Sequence, residues 1–254
     1  MRSRAPLEWA AASSAVAHTF VTTLDDALRV AGADGHHLQR VRRLERGELV
    51  TAADGNGAWR EYVVIEAASG TIALEAVGAV RAEPRLQPRL AVAFALTKGE
   101  QPEAVVRGLT ELGVDRVLPV VSSRSQVRWR GERARTQHDR LQRAAREAGA
   151  QCRRARLPEI TPVGEVSALA GHAGLLLADR SGPPAACLPE PPDGEWLVVI
   201  GPEGGLTRQE AAALGGYRLG LGPHVLRGGT AAVGAAAALA SRRSPRGYKD
   251  GHGQ

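Results

Sequence analysis

Lysine is almost missing from this chain. Of its 33 cationic residues only Lys98 and Lys249 are lysines, which leaves 31 arginines. Cysteine is as scarce: Cys152 and Cys187 have neither metal-ligand spacing nor company, which excludes a disulfide framework and points to two free thiols in a reducing cytoplasm. Histidines are scattered apart from His36-His37, so no metal site is expected. No apolar run approaches the length of a membrane span. A Gly-Lys-Ser/Thr P-loop is lacking, the glycines are not spaced GxGxxG, and no Mg²⁺-carboxylate set accompanies them, which excludes the commoner nucleotide hydrolases. Arg2 and Arg4 precede WAAASSAVA in the faint manner of a signal peptide. Glu8 interrupts it, and alanine and serine stand where leucine would be needed. Residues 1–15 read as an N-terminal extension.

What is present is a hydrophobic content of 43%, ample for a core, and a net charge of +6. Arginine-borne positive charge suits phosphate and RNA contact; the base composition of the coding DNA is the alternative source, since alanine is abundant too.

The most informative stretch is WLVVIGPEGGLTRQE, Trp196 to Glu210. Leu197 to Ile200 form a short continuous apolar run, the pattern of a strand buried on both faces. It stops at Gly201-Pro202-Glu203-Gly204-Gly205, where the glycines permit a sharp turn with no side chains in a ligand's way. Thr207 and Glu210 then form a capping-box pair that opens a helix. A second unit follows in YRLGLGPHVLRGGTAAVGAAAALA: a strand end at Leu219 to Leu221, a turn at Gly228-Gly229, and an alanine-rich helix capped near Thr230. Two such turns converging would build a largely main-chain pocket suited to a neutral heterocycle such as adenine.

The rest of the chain divides in two. HTFVTT (His18 to Thr23) reads as a strand and Ala33 to Leu44 as a helix with a basic face of Arg40, Arg42 and Arg43. ELVTAAD, REYVVIEAA and TIALEAVGAV, joined by tight glycine turns, read as a β-meander or small barrel. EPRLQPR (Glu83 to Arg89) reads as a linker. Beyond it, RLAVAFALT, DRVLPVV and GLLLA are buried strands that alternate with helices, the mark of an α/β domain. DRVLPVV exits into Ser122-Ser123-Arg124-Ser125, and Gly131 to Gly149 is a long arginine-studded helix.

IGPEGGLTRQE followed by LGLGPHVLRGGTAA resembles the RsmE family, which methylates N3 of a uridine in small-subunit (16S) ribosomal RNA. The resemblance runs from about Val16 to Arg243 and includes HHLQRVRRLERGE, KGEQPEAVVRGLTELG and EAGAQCRRARLPEI. It implies an α/β fold of SPOUT type, a trefoil-knotted and mostly parallel sheet domain behind a small N-terminal PUA-like β-barrel. The implied boundaries are 16–82 for the PUA-like RNA-binding domain, 83–89 for the linker, 90–243 for the methyltransferase domain and 244–254 for a tail. It also implies S-adenosylmethionine as cofactor, ribosomal RNA or the small subunit as partner, a cytoplasmic location and a homodimer, with no metal and no membrane. The implied cofactor residues are Leu177, Ala178, Ile200, Gly201, Glu203, Gly205, Leu219, Gly220, Leu221, Leu226, Arg227, Thr230 and Ala231. Arg40, Arg42 and Arg43 become phosphate contacts. Arg124 and Arg154 become the catalytic pair, stabilising the negative charge that spreads over the uridine carbonyls when N3 loses its proton. Arg227 is a third candidate or merely a loop anchor, and Glu147 and Gln151 fall near the target loop. The family's glutamate between arginine and threonine is Gly229 here, so any role of that acid is lost. Two other readings fit the same residues: a SPOUT enzyme acting on a ribose 2′-hydroxyl, and a non-catalytic RNA-binding assembly factor.

Overall fold

The structure, a computed structural model, describes residues 9–40, 43–97 and 102–245. They form two compact units. The first comprises the described residues up to Pro84 together with Arg146–Leu157, and the second comprises Arg85–Ala145 and the described residues from Pro158 onward.

In the first unit the chain forms β1 (Ala17–Phe20), β2 (Ala27–Val30), α1 (Gly32–Arg40), β3 (Leu49–Ala53), β4 (Ala58–Ala68), β5 (Thr71–Ala76) and β6 (Arg81–Ala82). The sheet order is β1-β3-β4-β5-β2, with β6 paired to β4; β1 and β3 are parallel and every other pair is antiparallel. The end strands do not pair with each other, so the barrel expected from the sequence is an open one. Ser69 and Gly70 both have positive φ, 52° and 77°, which gives the β4–β5 hairpin the two-residue turn whose twist matches its strands.

Two sequence expectations change here. Strand β2 is not visible in the apolar pattern, because ALRV buries only Val30 and gains its place from pairing with β5. The helix expected to reach Leu44 is described only as far as Arg40, and Arg43 has φ 52°, outside helical space. Leu38 and Leu44 nevertheless both enter the core around Val50, Tyr62 and Ile72.

His18 lies in this unit at 5% exposure, its Nδ1 2.8 Å from the Thr51 hydroxyl. Burial pushes its pKa down from 6.5 to about 4. The folded state therefore prefers the neutral ring. The stability this contributes is complete above pH 6.5 and is lost as pH falls toward 4. We expect on the order of 3 kcal/mol to disappear across that window. Unfolding titrations of the wild type and of His18→Asn check this; an identical pH dependence in the two would remove His18 from the account.

The second unit contains β7 (Leu86–Gln87), β8 (Arg89–Ala95), α2 (Pro102–Glu111), β9 (Arg116–Val121), about the first four turns of α3 (Gly131–Cys152), β10 (Glu159–Ile160), β11 (Gly164–Glu165), β12 (Leu175–Ala178), β13 (Glu195–Ile200), α4 (Arg208–Leu214), β14 (Tyr217–Leu219), α5 (Gly228–Ala240) and β15 (Ser244–Pro245). The segment read as a linker thus holds β7, which pairs with β15. The main sheet runs β10-β9-β8-β13-β12-β14 with β11 also on β9, and all its pairs are parallel. The outer neighbours of β9 flank Pro119, a residue with no N–H to donate: β10 pairs at Arg116–Val117 and β11 at Val120–Val121.

Period-two alternation sorts the side chains of β8 onto two faces. Leu90, Val92 and Phe94 pack with α2, α3 and α5, while Ala91, Ala93 and Ala95 pack with Leu175, Leu197, Val199 and Leu214 of α4. Helices on both faces explain why β13 is buried at all six positions, as its unbroken apolar run requires. Among the described residues no helix is long and apolar enough to cross a membrane, and no cluster of His, Cys, Asp or Glu could hold a metal ion.

Candidate functional site

The site lies where β12, β13 and β14 end. After Ile200 the chain turns, and the Gly205 amide donates to Pro202 O at 2.7 Å to close the bend. Gly205 has φ 68°, and a Cβ added there would meet nothing within 4 Å, so this backbone faces open space. Thr207 then caps α4: its Oγ1 accepts from the Glu210 amide at 3.1 Å, and Glu210 Oε2 accepts from the Thr207 amide at 2.8 Å. The capping box read from the sequence is present.

Glu210 has a second role that the sequence did not suggest. Its Oε1 accepts from the Ser123 amide at 2.7 Å, across the gap to the loop after β9. One residue on, Arg124 Nη1 donates to Gly204 O at 2.6 Å. The Ser122–Ser125 loop and the glycine turn are therefore fastened by two bonds. Burial pushes the Glu210 carboxyl up, but the donors on Ser123 and Thr207 outweigh it and hold the pKa at about 2. The depressed value means that this stability is present above pH 4.5 and is lost as pH falls toward 2. Glu210→Gln should destabilise the second unit by about 1–2 kcal/mol at neutral pH. It should also flatten the acid limb of its melting curve below pH 4.5, while an unchanged limb would show that another carboxylate controls it.

The second turn, after β14, meets the first in one cavity of about 340 Å³. Of the cofactor residues expected, Leu177, Ala178, Ile200, Gly201, Glu203, Gly205, Leu221, Leu226 and Ala231 line it. Four do not. Leu219 is fully buried in the core beneath. Gly220 packs on the Gly182–Pro183 backbone, its amide donating to Pro183 O at 2.8 Å. Arg227 and Thr230 line a different depression with Ala104, Val105, Gly229 and Val233. Successive residues at a helix start point about 100° apart, which turns these two away while Gly228 and Ala231 stay on the cavity side. Gly229 shares that other depression, so the glutamate missing at this position is no gap in the cavity wall.

Sequence reasoning also missed residues that the cavity includes, chiefly Asp179, Arg180, Arg218, Gly222 and His224. Asp179 sits directly past the carboxyl end of β12, the position that could have flagged it. Its Oδ1 accepts from the Ser181 amide at 2.9 Å and the Ser181 hydroxyl at 2.8 Å, which hold its carboxyl below the usual range, with Arg218 at 3.3 Å adding to the effect. Gly222 has φ 116° and, like Gly205, open space where a Cβ would stand. The lining thus combines apolar side chains and bare backbone with charged and polar groups: Asp179, Glu203, Arg180, Arg218 and His224.

The remaining expected residues fall elsewhere. Arg154 folds with the first unit, its amide donating to Gly149 O at 2.9 Å, and the cavity of the second unit is built without it. Glu147 and Gln151 belong to the same unit and are exposed. Arg43 is exposed, whereas Arg42 and the side chain of Arg40 lie outside the described residues, as do Lys98 and Gly99.

A family model described as an RNA methyltransferase domain matches residues 84–240, and one described as an RNA methyltransferase PUA domain matches residues 30–77. The chain is 33% identical over 241 residues to the ribosomal RNA small subunit methyltransferase E of Mycobacterium tuberculosis, covering 88% of this chain and 92% of that protein. A methyltransferase from Legionella pneumophila, solved in complex with its cofactor S-adenosylmethionine, is 26% identical with a TM-score of 0.78, covering 91% of this chain and 98% of the other. The ribosomal RNA small subunit methyltransferase E of Neisseria gonorrhoeae, solved bound to S-adenosylmethionine, shares the fold at 22% identity and a TM-score of 0.79, over 89% of this chain and 97% of that one.

Proposed function

The chain belongs to the ribosomal RNA small subunit methyltransferase E family, and from that premise we propose that it methylates N3 of a uridine in small-subunit ribosomal RNA, with S-adenosylmethionine as donor. The observation that carries the cofactor assignment is the convergence of the two turns, after β13 and after β14, on one cavity. Its volume of about 340 Å³ is that of a small-molecule site. The open faces of Gly205 and Gly222 would let a flat heterocycle approach the backbone, with Leu177, Ile200, Leu221 and Ala231 enclosing it. When bound, S-adenosylmethionine supplies an electrophilic methyl group on a cationic sulfonium. Asp179 is already ion-paired with Arg218, and its low pKa makes it a weak base. We therefore do not assign it proton removal.

Arg124 is the residue we assign to the target base. A guanidinium has five N–H donors, and Gly204 O takes one. Donors that remain can bond the uridine carbonyl oxygens, on which charge accumulates as N3 loses its proton. Arg40, Arg42 and Arg43 would hold phosphates from the first unit.

We also propose a homodimer, supported by the largely apolar depression of about 570 Å³ between α2 and α5 that a second copy would cover, and a cytoplasmic location, where ribosomal subunits assemble. Mapping of methylated nucleosides by mass spectrometry, with and without the gene, tests the activity. Loss of one N3-methyluridine supports it. Loss of a 2′-O-methyl group instead would move the target to the ribose, and calorimetry showing no cofactor binding at millimolar ligand would leave only a scaffold.

A further inference from the structure

Most of this chain's excess charge is concentrated in one place. Arg128 to Ala145 holds six arginines against Glu132 and Asp139, a net +4 in a protein of net +6. Two of the six have partners: Arg135 lies 3.3 Å from Glu132, and Arg128 donates to Ser122 O at 3.2 Å with Glu165 3.8 Å away. The other four, Arg130, Arg133, Arg140 and Arg143, are exposed and make no ion pair or side-chain hydrogen bond among the described residues.

Arg140 and Arg143 stand three residues apart, a spacing at which like charges repel. Asp139, four residues before Arg143, does not pair with it. Arg133, Arg140 and Arg143 fall within about 80° of arc and extend for ~15 Å along the helix axis, while Leu141, Ala144 and Ala145 anchor α3 in the core. The stripe starts at the rim of the site: Arg128, five residues ahead of Arg133, is bonded to Ser122, the residue two before Arg124.

We propose that Arg133, Arg140 and Arg143, with Arg130 at their head, form a phosphate track that holds the RNA strand flanking the target nucleotide and leads it to the Ser122–Ser125 rim. Guanidinium suits this task because its planar fork meets phosphate oxygens with two parallel bonds. The inference rests on the RNA methyltransferase reading and adds a substrate surface to it.

The test is a salt titration of binding to small-subunit ribosomal RNA, with methyl transfer measured alongside. The triple variant R133Q/R140Q/R143Q should lower the slope of log K against log salt by about 2, since each phosphate contact on a single strand contributes about 0.7. Its KM for RNA should rise at least about tenfold near physiological salt, with kcat at saturating RNA and the Kd for S-adenosylmethionine unchanged. The triple lysine variant keeps the charges and should keep the slope, and R135Q, on an arginine already paired, should behave as wild type. A wild-type slope in the glutamine variant overturns the track while leaving the enzyme assignment intact. Loss of slope in the lysine variant as well also overturns it, because the charge would then not be the cause. If the wild type neither binds nor methylates the RNA, both readings fall together. If all these variants bind RNA like wild type but lose an acidic protein partner, the stripe is a protein-docking face instead.

Discussion

Arg124→Ala should cut turnover about 10²–10³-fold, the usual result of deleting a donor aimed at developing negative charge. The structure adds a smaller second effect. Arg124 also tethers Gly204 O, so its loss frees one side of the glycine turn. One hydrogen bond to a charged donor is worth about 1.5–3 kcal/mol locally. Only part of that should reach the cofactor, because Glu210 still holds Ser123 across the same gap. Cofactor affinity should therefore fall severalfold, far less than turnover. Arg124→Lys should keep the charge and lose the fork, giving an intermediate turnover. Single-turnover rates and calorimetry on the same preparations separate the two effects. Equal losses in both would move Arg124 into the cofactor wall, and an unaffected rate would remove it from the reacting centre.

The largest stability effect should come from Arg243. Its side chain has no solvent exposure. Nε donates to Pro88 O and Nη1 to Gly113 O, each at 2.7 Å, and Nη2 meets the Asp115 carboxylate. Asp115 in turn accepts from the Leu90 amide at 2.9 Å. One guanidinium thereby joins the end of the domain to the entry of β8 and to the turn before β9. Burial pulls the Arg243 pKa down and the neighbouring Asp115 carboxylate opposes this; the two side chains are 0% and 9% exposed. Arg243→Ala would leave Asp115 and two carbonyls without their partner, at a cost of about 3–5 kcal/mol. For a chain of this size that is a drop of on the order of 10 °C in melting temperature. Arg243→Met combined with Asp115→Leu should recover much of the loss, since it removes both charges and refills the volume. If calorimetric melts show the single variant within one degree of wild type, the bonds at Arg243 do not hold the second unit together.

The sequence disclosed what is local and left obscure what is not. The apolar run of β13, the glycine bend behind it and the Thr207–Glu210 box are neighbours in the chain, and each has a pattern with a physical cause. Strand β2 has almost no pattern of its own. Glu210 could be recognised as a cap, but its bond to Ser123 spans 87 residues, and that of Arg124 to Gly204 spans 80. No periodicity foretells such contacts. Arg227 and Thr230 show a subtler limit: they lie at the correct turn, yet the helix beginning there points them into the other depression. Arg154 follows a recognisable motif but folds with the first unit, because the chain from Arg146 to Leu157 packs there.

The order of strands in the second unit also governs how the molecule can be made. β8 is the first long strand of its sheet and lies at the centre, and one of its edges waits for β13, whose first pairing, Glu195 with Arg89, closes a loop of more than 100 residues. Until that return the central strand has an open edge, and closing so wide a loop is entropically slow. A ribosome delivering this chain from its amino end would therefore hold an unfinished core for most of the second unit's synthesis.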